Sequence, residues 1–89
     1  TKKRARLDVI KDILNAIKQN RKIKPTRLLY ASNLSPQMFK DYIDELIKKG
    51  FIKVEVEDQG KKLFSLTQRG NNFVQEYKVI ENFIENFGL

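Results

Sequence analysis

At Gly50 the hydrophobic pattern of the chain changes its period. Before it, apolar residues recur every three or four positions; after it, Ile52, Val54 and Val56 alternate with Lys53, Glu55 and Glu57, the period of two that lays one face of a strand on a core. Asp58-Gln59-Gly60 supplies turn chemistry, and Lys61 to Leu66 reads as the returning strand of a hairpin. Helices therefore come first and a hairpin follows. With 89 residues in all, the chain has material for one small core, which excludes a multidomain enzyme.

Leu7, Ile10, Ile13, Leu14 and Ile17 predict a first helix from Leu7 to Asn20 with one buried stripe. Arg21 to Lys24 interrupts that stripe, with Ile23 as its only anchor. Pro25 suits the first turn of a short second helix, about Pro25 to Ser32, which buries Leu28 and Leu29 with Tyr30 near the edge. Asn33 and Leu34 form a tight connection. Ser35 followed by Pro36 is an N-cap and first-turn proline for a third helix reaching Lys49. Its buried face is Phe39, Tyr42 or Ile43, and Leu46 with Ile47, and Gly50 stands where a left-handed C-terminal cap is wanted. Thr67 caps a last helix, about Gln68 to Phe87, in which Phe73, Tyr77, Ile80, Ile84 and Phe87 are spaced four, three, four and three. That is the repeat of a coiled-coil seam.

Three helices and a hairpin, with a short turn between the second and third helices, is the order of a winged helix-turn-helix. The expected fold class is mainly α with a small β-hairpin, followed by a long C-terminal coiled-coil helix. Residues 1–6 form a basic arm, 7–67 the DNA-binding domain and 68–89 the dimerisation helix.

Charge indicates the partner. The net charge is +7, and its distribution matters more than its total. Residues 1–27 hold ten Lys or Arg against Asp8 and Asp12, a net of +8, whereas the rest of the chain is close to neutral. The sequence contains no Cys and no His, which excludes disulfides, thiol nucleophiles and every His- or Cys-ligated metal site. No cofactor, metal or small-molecule ligand is expected. Carboxylate pairs such as Asp41 with Asp44, or Glu55 with Glu57, have no basic partner implied by their spacing, so no enzyme is expected either. No apolar run approaches the ~20 residues of a membrane helix, and the expectation is a cytoplasmic, nucleoid-associated protein.

Double-stranded DNA is accordingly the expected partner, and the basic groups divide by position. Lys2, Lys3, Arg4 and Arg6 either track phosphates or form a solvated tail. Arg21, Lys22, Lys24 and Arg27 surround the start of the second helix, where backbone N–H groups also favour phosphate. Ser35, Gln37 and Lys40 fall on the early part of the third helix, which meets base edges, and Met38 either touches a thymine methyl or completes the core. Asp41 and Asp44 on the same side repel phosphate. Lys61 and Lys62 at the tip of the hairpin are further phosphate contacts, with Asp58 beside them. In the last helix Phe73 belongs to the core, while Ile80, Phe83, Ile84 and Phe87 lie beyond what so small a domain can cover and need a partner, most simply a second copy.

The run Lys24-Pro25-Thr26-Arg27-Leu28-Leu29-Tyr30-Ala31-Ser32-Asn33-Leu34-Ser35, with Lys40, Tyr42, Lys49-Gly50-Phe51-Ile52 and the hairpin exit Leu66-Thr67-Gln68-Arg69-Gly70, resembles the small archaeal winged-helix proteins of the Sulfolobus 10a DNA-binding family. The resemblance covers about Arg6 to Phe87. It implies a homodimer joined by an antiparallel coiled coil of the last helices, with a winged-helix DNA-binding domain at each end. Asp41 departs from the family, whose members tend to carry a second basic residue there. The functional expectation is a nucleoid-architectural protein; the alternatives are a sequence-specific transcription regulator and a winged-helix module that binds only protein.

Overall fold

The computed structural model describes residues 4–89; Lys2 and Lys3 lie outside the described residues. Helix α1 (Arg6–Asn20) buries Val9, Ile10, Ile13, Leu14 and Ile17. Each fully buried aliphatic side chain stabilises the fold by roughly 1.5–3 kcal/mol. Leu7, expected in the buried stripe, is instead 56% exposed. Val9 joins Ile10 on the core face instead, so the buried stripe begins at Val9.

Helices α2 (Pro25–Ser32) and α3 (Pro36–Lys48) follow the predicted spans closely. Asn33 ends α2 in the left-handed region, at φ 55° and ψ 44°, a conformation Asn tolerates better than most residues. Ser35 caps α3, its hydroxyl accepting from the Met38 N–H at 3.3 Å. The three-residue turn Asn33-Leu34-Ser35 thus joins the two helices. Of the alternatives for the buried face of α3, Ile43 is chosen over Tyr42, which is half-buried, and Phe39 and Leu46 complete it. Gly50 holds φ +81° and turns the chain from α3 into the sheet.

That sheet corrects the expectation of a simple hairpin. Strands β2 (Ile52–Val56) and β3 (Lys62–Leu66) pair antiparallel as predicted, but β1 (Lys22–Ile23) adds a third strand, in the order β1-β3-β2. Lys22 registers against Ser65 and Ile23 against Phe64. Two residues are too short to show a period, yet β1 shields one edge of β3 and buries Ile23. A 3₁₀ turn at Asp58–Gly60 joins β2 to β3, with Gln59 at φ 72° and Gly60 at φ 73°.

Thr67 starts α4 (Gln68–Asn86), its hydroxyl accepting from the Gly70 N–H at 3.1 Å and donating to the Gly50 carbonyl. Gly70 and Val74 are the residues of α4 buried in the core. Phe73 is half-buried, its ring 5.6 Å from that of Phe51 and 5.9 Å from that of Tyr77. Beyond Tyr77 every residue of α4 is exposed, and with this helix the molecule measures 50 × 29 × 21 Å along its principal axes. Among the described residues no helix is long and apolar enough to cross a membrane, and no cluster of His, Cys, Asp or Glu could hold a metal ion.

Candidate nucleic-acid interface

The predicted basic residues separate into two groups. Arg4 is bonded inside the fold: its guanidinium donates to Asp12 Oδ2 at 2.8 Å and to the Ser32 carbonyl at 2.9 Å. The second bond satisfies a carbonyl at the end of α2 that the helix itself leaves unpaired. Arg6 is hydrogen-bonded to Glu45 of α3 and lies over the Tyr42 ring at 5.7 Å. Glu45, bonded by Arg6 and then by Lys49, is held below the usual carboxylate range, and the Arg6 guanidinium is raised by the same bond. Lys22 is 3.5 Å from Glu55. These three cations already have carboxylate partners.

Arg21, Lys24, Arg27, Lys40, Lys61 and Lys62 are exposed and form no ion pair among the described residues. Lys24 is the residue immediately before α2, in extended conformation, and Arg27 lies in its first turn, beside the N–H groups that the start of a helix leaves free. Lys40 occupies the second turn of α3. Lys61 and Lys62 stand where the 3₁₀ turn enters β3. Ser35 and Gln37 are exposed at the start of α3, each with an internal bond: Ser35 through its cap, and Gln37 by donating Nε2–H to Asp41 Oδ1 at 3.1 Å. Met38 is exposed rather than core.

The sequence matches the winged helix-turn-helix family over residues 3–85. The chain belongs to that family. An uncharacterized protein of Methanocaldococcus jannaschii is 47% identical over 68 residues, a stretch covering 71% of this chain and 69% of that protein. Among solved structures, Sso10a-2, a DNA-binding protein from Sulfolobus solfataricus, superposes with a TM-score of 0.77 at 23% identity, over 94% of this chain and 85% of its own. This agrees with the resemblance found in the sequence. MepR, a transcription regulator of the Staphylococcus aureus multidrug efflux pump MepA, shares the fold with a TM-score of 0.80 at 18% identity, over 90% of this chain and 61% of its own.

In the winged helix-turn-helix frame, α2 and α3 are the helix-turn-helix, and β2 and β3 with their turn are the wing. The unpaired cations lie at the start of α2, on α3, at the wing tip and, for Arg21, before β1. Sequence reasoning missed two basic residues that the winged helix gathers near Arg21 and Lys22, namely Lys18 and Lys53, which line the same surface hollow. The alternation of β2 puts Lys53 on the outer face and buries Ile52, but Val54 and Val56, expected on the core face, are exposed and Glu55 is half-buried. The neighbour of Lys53 across the sheet was hidden because β1 was not legible.

The C-terminal helix divides similarly. Tyr77, expected in the seam, donates its hydroxyl to Asp8 of the same chain at 2.8 Å. Ile80, Phe83, Ile84 and Phe87 are exposed, with the rings of Phe83 and Phe87 tilted at 40° to each other and 4.8 Å apart between centroids. Leu7, Phe73, Tyr77, Ile80 and Ile84 line a predominantly apolar hollow of about 370 Å³ between α1 and α4.

Proposed function

We propose that this winged helix-turn-helix protein binds double-stranded DNA as a homodimer, largely through phosphate contacts, and acts as a nucleoid-architectural protein. The observation that carries the reading is the set of exposed cations without carboxylate partners, Arg21, Lys24, Arg27, Lys40, Lys61 and Lys62. A surface cation already in an ion pair must give up that partner to meet a phosphate; these six need not. Residues 7–67 form the DNA-binding unit. Ser35, Gln37 and Lys40 face the bases, while Arg4 and Arg6 act at second hand by tying the start of α1 to α2 and α3.

Dimerisation is assigned to residues 68–89, through Ile80, Phe83, Ile84 and Phe87 with Tyr77 at the inner border. An apolar stripe of this size on a 19-residue helix is supported by its continuity with the hollow that Leu7 and Phe73 line. An antiparallel pairing of two such helices covers both stripes and sets the two DNA-binding units apart.

The test is a set of duplex-binding titrations at several salt concentrations. With about four phosphates neutralised per subunit, log affinity falls against log salt with a slope of about −7 for the dimer. Reversing Arg21, Lys24 and Arg27 to glutamate weakens binding to all duplexes alike. Unchanged binding in that triple variant overturns the assignment of the patch. A large preference for a selected sequence over random duplexes identifies a local regulator instead.

A further inference from the structure

On the face of the sheet turned away from the core, three side chains form a row. Lys22 of β1 and Lys53 of β2 both register against Ser65 of β3. Their neighbours Ile23 and Phe64 point the other way and are buried, as strand alternation requires. Lys18 and Arg21 at the end of α1 and Gln68 and Asn71 at the start of α4 lie beside this row. Together they enclose an open hollow of about 390 Å³.

Three features of this hollow are unexplained by folding alone. Its four cations outnumber the one carboxylate, Glu55, whose buried Oε2 lies 3.5 Å from Lys22 Nζ and has no hydrogen bond among the described residues. Ser65, among its lining residues, is 6% exposed, and its hydroxyl has no hydrogen-bond partner among the described residues, a rare condition for a buried polar group. Arg21 at the rim holds φ 61° and ψ −58°, a region that non-glycine residues seldom occupy and that concentrates at functional positions. The start of α4 adds its positive dipole end and first-turn N–H groups without intrahelical acceptors.

We infer that this hollow binds a phosphate group. A tetrahedral oxyanion presents acceptors in several directions at once. It can therefore meet the ammonium groups of Lys22 and Lys53, the donors of Lys18 and Arg21 and the amides at the start of α4, while pairing the Ser65 hydroxyl. A planar carboxylate offers acceptors in one plane only. None of the residues lining the hollow comes from α2, α3 or the wing tip, so the site is separate from the base-reading surface. It does not depend on the DNA reading either, since a free phosphate satisfies the same donors. The phosphate can come from a duplex backbone or from a free phosphate or phosphomonoester.

The experiment is a titration of the full chain with inorganic phosphate, followed by amide NMR, against sodium chloride at matched ionic strength. Saturable shifts at Lys53, Ser65, Thr67 and Gln68 with phosphate, absent with chloride, are expected. Ser65→Ala removes one hydrogen bond to a charged ligand and weakens phosphate by about tenfold; Lys53→Gln, on an exposed strand position, weakens it without touching the buried face. Identical responses to phosphate and chloride, or undiminished phosphate affinity in both variants, overturn the site. A second arm separates the sources. If the backbone of DNA supplies the group, inorganic phosphate competes with duplex and Lys53→Gln lowers the salt slope by about 0.9 per subunit. If a free phosphate does, the phosphate shifts persist and duplex affinity of Ser65→Ala equals that of the wild type at matched salt.

Discussion

The Tyr77 hydroxyl of α4 donates to Asp8 Oδ1 of α1 at 2.8 Å, while Asp8 Oδ2 accepts from the Ala5 N–H at 3.2 Å. One carboxylate thus both closes the start of α1 and holds the base of the projecting helix. Lys11 reinforces the joint, with its ammonium 3.2 Å from Glu81 and 5.7 Å from the centre of the Tyr77 ring.

This joint predicts an alkaline weakness. The bond to Asp8 raises the Tyr77 phenol above its usual range, and the bond to Glu81 raises the Lys11 ammonium. In both cases the folded chain holds its proton more tightly than the unfolded chain. The stabilisation is therefore complete below the unfolded values, near 10 for tyrosine, and is lost as pH rises through the folded values. Tyr77→Phe should cost about 1 kcal/mol at neutral pH and lose less stability between pH 9 and 11 than the wild type does. Urea unfolding followed by circular dichroism across that range measures both effects; parallel pH profiles for the two proteins contradict the assignment.

Helix α1 was legible from its stripe, α2 from Pro25 at its first position, and α3 and α4 from apolar spacing together with Ser35 and Thr67, which both cap as their sequence positions imply. Strand β1 was not, because its only buried residue, Ile23, acquires meaning through Phe64, forty-one residues away. In α4 the aromatic spacing drew attention to Phe73 and Tyr77, whereas the positions that enter the core are Gly70 and Val74. Glycine carries no hydrophobic signal, so that face could not be read as a pattern. Among the basic residues, sequence gives their number and their element but not their partners. Arg4 and Arg27 look equivalent as letters; one is bonded to Asp12 and the Ser32 carbonyl, the other has no ion pair among the described residues.

Gly70 makes the root of α4 sensitive to a single methyl group. A Cβ there would overlap the Phe51 carbonyl oxygen and press on Leu66 Cδ2 at 3.2 Å. At an ordinary helical position Gly→Ala stabilises by up to ~1 kcal/mol. Here the neighbour is backbone and cannot rotate away, so an overpacking cost of ~1–3 kcal/mol or more dominates. Gly70→Ala should lower the midpoint of thermal unfolding, and a raised midpoint would show that α4 does not pack this closely on Phe51.

Ile80 tests the seam. It is 55% exposed in the single chain, so Ile80→Asp should leave the fold of one chain intact while placing a charge in the proposed dimer interface, where an unpaired buried charge costs ~3–5 kcal/mol. Sedimentation equilibrium is expected to report a dimer for the wild type and a monomer with unchanged circular dichroism for the variant. A wild type that is monomeric at micromolar concentration removes the homodimer from the proposal.

In the proposed DNA complex, Asp41 limits how selectively α3 reads bases. The early turns of α3 offer Gln37 and Lys40, and the Gln37 amide is donated to Asp41 one turn along the helix at 3.1 Å. That bond leaves the amide oxygen and one N–H of Gln37 for other partners, while the carboxylate stands on an exposed surface that, in the proposed complex, meets phosphate. A good bidentate contact discriminates between bases by ~1–3 kcal/mol; with its best reader half-occupied, this helix should show a specificity ratio at or below the ~10³-fold low end for dedicated regulators. Asp41→Asn removes the negative charge and keeps an acceptor for Gln37. Binding to all duplexes should therefore tighten by a similar factor, as a repulsion independent of sequence disappears. If Asp41 instead orients Gln37 for one base, or itself accepts from a cytosine amine, the same substitution weakens binding to a preferred sequence and leaves random DNA unaffected. Titrating wild type and variant against a selected site and a random duplex at one salt concentration separates these outcomes, and a large loss confined to the selected site would replace the architectural role with that of a regulator.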